Sequence, residues 1–190
     1  MGGRITSWCA GTLRTMSILR PVVRVETVLD APPDEVWADV EDLSSHVEWM
    51  QDAETIEFTT EQRSGSGTEF DCRTRIGPFR LMDHMEITSW RPGHEMGVRH
   101  VGLITGSGIF QLHPAGVETT SRAEAERGPL PQRTRFTWTE RLVFPWWLGG
   151  PLGAWCARPV LRHVWRTNLR NLAARFDAGG RRAASSSTSR

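Results

Sequence analysis

Residues 22–49, VVRVETVLDAPPDEVWADVEDLSSHVEW, decide the fold. The stretch reads as a hydrophobic β-strand, a turn and a short amphipathic helix. Pro33 suits the first helical position, where its missing N–H is no loss and its fixed φ matches the helix. Asp34 and Glu35 put negative charge at the positive end of the helix dipole. Val36, Trp37 and Val40 then share one face at helical spacing. A second short helical piece around Ser44–Trp49 closes the stretch.

Downstream the hydrophobic period changes from helical to two. In Thr68–Ile76, Phe70, Cys72, Thr74 and Ile76 alternate with Glu69, Asp71, Arg73 and Arg75, the pattern of a half-buried strand. Strands are likewise predicted over Ala53–Thr60, Phe79–Trp90, His94–Val101, Leu103–His113 and Thr134–Phe144. Turn residues separate them, notably Gly65-Ser66-Gly67, Gly77-Pro78 and Arg91-Pro92-Gly93. Residues 115–132 carry glycine and proline with little periodicity and read as a long loop. A last helix is predicted from about Pro151 to Asp177, with Pro159 kinking it or marking its true start. On it Leu161, Val164, Trp165, Leu172 and Phe176 form one broad face.

This order, one strand, two short helices, six strands and a long helix, is an α+β helix-grip plan: a curved antiparallel sheet wrapped around the C-terminal helix. Three phrases sharpen it. The opening strand with Ala31-Pro32-Pro33-Asp34-Glu35-Val36-Trp37 is one, and Glu86-Ile87-Thr88-Ser89-Trp90-Arg91-Pro92-Gly93 is the second. The third pairs Phe110–Gly116 (FQLHPAG) with Thr134–Pro145 (TRFTWTERLVFP). Together, from about Val22 to Phe176, they resemble the START/Bet v 1-like (SRPBCC) superfamily, in its polyketide cyclase/dehydrase and lipid-transport branch. The resemblance implies a cavity for a hydrophobic ligand. The join across 115–132 is longer than the short turn of the family pattern.

Composition agrees with one domain that can bury a real core. The chain has 190 residues, 38% hydrophobic and 24% charged, with a net charge of +1. Near-neutral charge argues against bulk electrostatic binding of nucleic acid. All 23 basic residues are Arg and there is no Tyr, so lysine Schiff-base chemistry and tyrosine acid catalysis are excluded. The absence of Lys and Tyr, whose codons are AT-rich, fits a GC-rich bacterial genome, and Cys9, Cys72 and Cys156, odd in number, far apart and without zinc-ligand spacing, fit a reduced, cytoplasmic protein with no metal and no cofactor expected.

Residues 1–20 lack the apolar core of a secretory signal and are predicted to be a flexible extension, with Met16 as an alternative start. The ligand-binding domain is predicted over 21–178. Residues 179–190, GGRRAASSSTSR, are small, polar and basic, and are predicted to be a disordered tail. Leu142–Ala157 is uncharged, yet too short and too interrupted by Pro145, Gly149, Gly150 and Pro151 to span a bilayer.

Function turns on what faces the cavity. Strand phase puts Phe136, Trp138, Glu140 and Leu142 on one face, Met96, Val98 and His100 on another, and Leu81, Asp83, Met85 and Ile87 on a third. The predicted ligand-binding residues are Phe110, Trp138, Phe136, Met85, Met96, Val98, His100, Leu161 and Val164. Glu140 is the candidate catalytic group. A carboxylate beside Trp138 either pairs with an Arg or a His, a salt bridge to Arg75, Arg99 or Arg73 being the purely structural option, or has its pKa raised by desolvation and serves as acid or base. His100 and His84 are weaker candidates. Asp83 and His84 cannot act as a dyad, because neighbours on a strand face opposite ways. No GxSxG, HExxH or phosphate-binding loop is present, and Gly106-Ser107-Gly108 reads as a bend in the sheet.

Trp146, Trp147 and Trp155, with Leu148 and Leu152, form an apolar group before the last helix. They read as a cavity gate, or as a buried plug. Arg158, Arg162, Arg166 and Arg170 recur beside them, fitting either a solvated face or transient contact with a membrane surface. Two functions follow: a carrier for a lipid, isoprenoid or polyketide-like molecule, or a cyclase/dehydratase that closes a poly-β-keto chain by aldol chemistry. A cyclase calls for a cluster of inward acid/base groups, and Glu140 stands out alone, so the carrier is favoured, as monomer or homodimer.

Overall fold

Seven strands in the order β1-β7-β6-β5-β4-β3-β2 form one sheet in which every neighbouring pair is antiparallel. They are β1 (Val22–Leu29), β2 (Ala53–Phe58), β3 (Glu69–Ile76), β4 (Phe79–Arg91), β5 (Glu95–Val101), β6 (Thr105–Ala115) and β7 (Arg133–Val143). The structure, a computed structural model, describes residues 21–115 and 132–187, with side chains as far as residue 177. The expected extension over 1–20 lies outside the described residues, as does nearly all of the expected loop over 115–132.

Between β1 and β2 the chain forms α1 (Pro33–Val40), a 3-10 turn (Leu43–Ser45) and α2 (His46–Trp49). Pro33 occupies the start of α1, Asp34 and Glu35 its first turn, and Val36, Trp37 and Val40 are buried. The Asp42 carboxylate then accepts from the Ser44 backbone N–H at 3.0 Å and caps the 3-10 turn.

The C-terminal helix, α3 (Gly150–Ser187), starts at Gly150 and runs through Pro159, which therefore does not mark its beginning. It reaches into the segment where the composition predicts a disordered tail. Leu161, Trp165, Leu169, Leu172 and Phe176 recur at intervals of three or four and are buried against the sheet. Each such side chain contributes about 1.5–3 kcal/mol by leaving water.

Two amides on α3 fix its place. Asn168 Nδ2 donates to Asp52 at 2.7 Å, and Asn168 Oδ1 accepts from the Gln51 backbone at 3.0 Å. Asn171 Nδ2 donates to the Trp49 carbonyl at 3.1 Å. The α2–β2 corner is thereby pinned to the middle of the helix. A register shift between Ile87 and Ser89 on β4 turns Trp90 toward the core, where it meets Trp37 edge to face at 5.2 Å.

Candidate functional site

Between the curved sheet and α3 lies a cavity of about 560 Å³. The strand phases deliver its walls. Phe70, Cys72, Thr74 and Ile76 come from β3, Leu81, Asp83, Met85 and Ile87 from β4, and Met96, Val98 and His100 from β5. Trp138, Glu140 and Leu142 come from β7, and Leu161 and Trp165 from α3. Phe110 of β6 stands at its base against Trp138, ring centroids 5.1 Å apart.

Two predicted ligand-binding residues do not line it. Phe136 has the right phase but is wholly buried behind Phe110, at 5.2 Å between ring centroids, and forms the floor under the cavity. Val164 is half-buried on the flank of α3, where Leu161 and Trp165 supply the lining instead. Trp146, Trp147 and Trp155 stand exposed outside the cavity, which rules out a buried plug. Their neighbours Leu148 and Val160 form part of its rim.

Glu140 faces inward, and its partner is a histidine from a strand that is not its neighbour. His100 Nδ1 lies 2.6 Å from Asp83 Oδ2, and Nε2 lies 3.2 Å from Glu140 Oε2. Trp138 Nε1 donates to Glu140 Oε1 at 2.9 Å. Both ring nitrogens meet carboxylate acceptors, so the imidazole is held as the two-donor imidazolium. Burial opposes that charge, but the hydrogen bonds and the charges of Asp83 and Glu140 outweigh it, raising the pKa to about 10. Asp83 Oδ1 is buried without a hydrogen-bond partner among the described residues.

The arginine alternatives for Glu140 fall away. Arg99 pairs with Glu86 and Arg75 with Glu54, and Arg73 is exposed between the cavity-facing Cys72 and Thr74, so all three lie outside the cavity. His84 faces away from the cavity and bonds Asp71 at 2.8 Å, as its alternation with Asp83 requires.

Glu140 on β7 reaches His100 on β5 across β6, and glycine makes this crossing possible. Gly108 is the residue paired with Glu140, and a Cβ there would overlap the carboxylate. Gly106 has φ 152°, and a Cβ on it would meet the Arg141 carbonyl. Gly108 is thus a notch that seats the Glu140 side chain, and Gly106 admits the neighbouring backbone of β7, where the sequence alone suggests only a bend. The signal lies in a glycine placed opposite an inward acid.

A third acid, Asp52, also lies in the wall. Burial raises the Asp52 pKa, countered by its Asn168 hydrogen bond. Burial also pushes the Cys72 thiol up to about 11, against a weak Thr74 contact, so it is not a thiolate nucleophile at neutral pH. No group of His, Cys, Asp and Glu among the described residues is arranged to hold a metal ion.

Comparison with known proteins supports this architecture. A family model described as polyketide cyclase/dehydrase and lipid transport matches residues 20–178. Among curated proteins none matches. A START superfamily protein from Mycobacterium smegmatis superposes with a TM-score of 0.63 at 10% identity, over 83% of this chain and 97% of that one. A protein from Thermus thermophilus gives 0.62 at 19%, over 84% and 99%. An aromatase/cyclase from Streptomyces sp. R1128 gives 0.59 at 14%, over 83% and 94%. At these identities the likeness is one of fold.

Proposed function

Because this chain belongs to the polyketide cyclase/dehydrase and lipid-transport family, we propose that it binds a hydrophobic small molecule, lipid, isoprenoid or polyketide-like, in its internal cavity and acts as a carrier. The observation that supports this reading is the cavity itself. Its volume of about 560 Å³ falls within the usual range for small-molecule sites, and its walls are mostly apolar, with Asp83, His100 and Glu140 joined by hydrogen bonds among the few polar groups. Phe110, Trp138, Met85, Met96, Val98 and Leu161 supply contact area. The Asp83–His100–Glu140 chain offers a polar end for orientation.

A second reading, a cyclase/dehydratase, is favoured by that same chain of acid and base groups. Aldol closure and dehydration need a group that gives or takes a proton at the reacting carbon or oxygen. Glu140 would be the acid or base, and His100 would fix and polarise it. Against this, His100 is already protonated at neutral pH with both nitrogens engaged, and both Glu140 oxygens carry hydrogen bonds. His100 would have to release a partner before acting as acid or base, although each Glu140 oxygen keeps an acceptor site. The carrier reading needs no such release.

Substitution Glu140→Gln separates the two. A carrier changes ligand affinity by about 1–2 kcal/mol, the scale of one buried hydrogen bond. An enzyme loses roughly 10²–10⁴-fold in turnover with binding nearly intact. The ligand is found by native mass spectrometry of protein purified from its own host. Protein that retains nothing there, and that fails to bind apolar probes, overturns both readings.

A further inference from the structure

The mouth of the cavity lies within an apolar surface that none of the described residues covers. Phe79 and Met82 at the β3–β4 hairpin, Leu103 at the β5–β6 hairpin, and Leu148 and Val160 all line the cavity and are also exposed. Next to Leu148, Trp146 is 83% and Trp147 58% exposed, and on the first turns of α3 Leu152 is 70% and Trp155 63% exposed. Large apolar side chains gathered in this way mark an interaction site.

The charges beside the patch indicate its partner. Between Glu140 and Asp177 the sequence has no acidic residue, while Arg158, Arg162, Arg166 and Arg170 are all exposed on α3. None of the four has an ion-pair partner among the described residues. Arg162 follows Trp155 by seven residues, which puts both on one stripe of the helix about 10 Å apart. Indole rings favour the boundary between lipid headgroups and acyl chains, and guanidinium groups favour anionic headgroups. A protein partner would equally cover apolar area, but an unbalanced row of arginines flanking exposed tryptophans matches an anionic lipid surface better. No helix among the described residues is long and apolar enough to cross a membrane, so contact is at the surface.

We propose that Trp146, Trp147, Leu152 and Trp155, backed by Arg158 and Arg162, form a docking surface for an anionic bilayer, with the cavity mouth facing the lipid. The inference does not depend on whether the cavity carries a ligand or transforms one.

Vesicle flotation tests it. The full chain is mixed with vesicles of equal parts phosphatidylglycerol and phosphatidylcholine, and separately with pure phosphatidylcholine. The wild type should bind the mixed vesicles with a blue shift of tryptophan emission, and bind the neutral ones markedly less. Trp146→Ser/Trp147→Ser/Trp155→Ser should weaken binding by about tenfold or more with an unchanged melting temperature, since these side chains are exposed in the free protein. Arg158→Gln and Arg162→Gln should each cost about fivefold on anionic vesicles and little on neutral ones. Failure of the wild type to bind anionic vesicles, or binding that the tryptophan variants leave unchanged, would overturn the proposal. So would a wild-type dimer in solution that the tryptophan variants turn into monomer, because the patch would then belong to a second copy of the chain.

Discussion

Replacing His100 by leucine removes the cation that lies between two inward carboxylates, and the structure sets the size of the effect. The imidazolium has a pKa of about 10 against an ordinary 6.5. At about 1.4 kcal/mol per pH unit, that gap is worth on the order of 4–5 kcal/mol as the net of favourable contact with Asp83 and Glu140 over the cost of burial. Breaking a buried charge pair by removing one partner costs about 3–5 kcal/mol, which agrees. His100→Leu should therefore lose about 3–5 kcal/mol near pH 7, measured by urea unfolding followed through tryptophan emission. The pH dependence carries the sharper test. In the wild type the raised histidine pKa gives stability that is complete below 6.5 and is lost as pH rises through about 10. The variant lacks that alkaline loss. A loss below about 1 kcal/mol, or a loss that does not change with pH, would refute the assignment of His100 as the common partner of both acids.

Two further outcomes follow from the same geometry. Gly108→Ala should leave the fold intact, because only the end of the flexible Glu140 side chain has to move, but it should displace that carboxylate from His100. The expected cost is about 1–3 kcal/mol, with a fall in the His100 pKa readable by NMR titration, and an unchanged pKa would refute the notch. Phe110→Arg places a charge at the base of the cavity and should abolish binding of an apolar fluorescent probe, while circular dichroism still reports a folded sheet. Equal probe binding by the variant would mean that Phe110 does not bound the ligand space.

The fold is legible in the sequence because each of its signals is local. Pro33 with Asp34 and Glu35 announces α1, and alternation in Glu69–Ile76 announces both a strand and its buried face. Phase also puts Asp83, His100 and Glu140 on the inner surface. Phase does not give depth along a strand, so it assigns Phe136 to the wall when the residue is floor. Nor does it show which inward groups meet. His100 and Glu140 are separated by forty positions and by an intervening strand, and their contact exists only because Gly108 has no side chain. Pro159 invites a break in the last helix, yet the helix passes through it. A proline loses only its own N–H bond and strains one preceding turn, and the buried face from Leu161 onward is stabilising enough to outweigh this.

That proline divides α3 into parts of unequal security. Beyond it Leu161, Trp165, Asn168, Leu169, Leu172 and Phe176 are buried, whereas before it only Gly150 and Ala154 are. Pro159 also leaves the Trp155 carbonyl without its usual helical donor. Free energies of local opening therefore rise along the helix, lowest in the first two turns and approaching the global value past Leu161. Those first turns border the cavity mouth, so the least secured part of the helix is also the part that frames the opening, while the sheet and the buried half of the helix are held by the core.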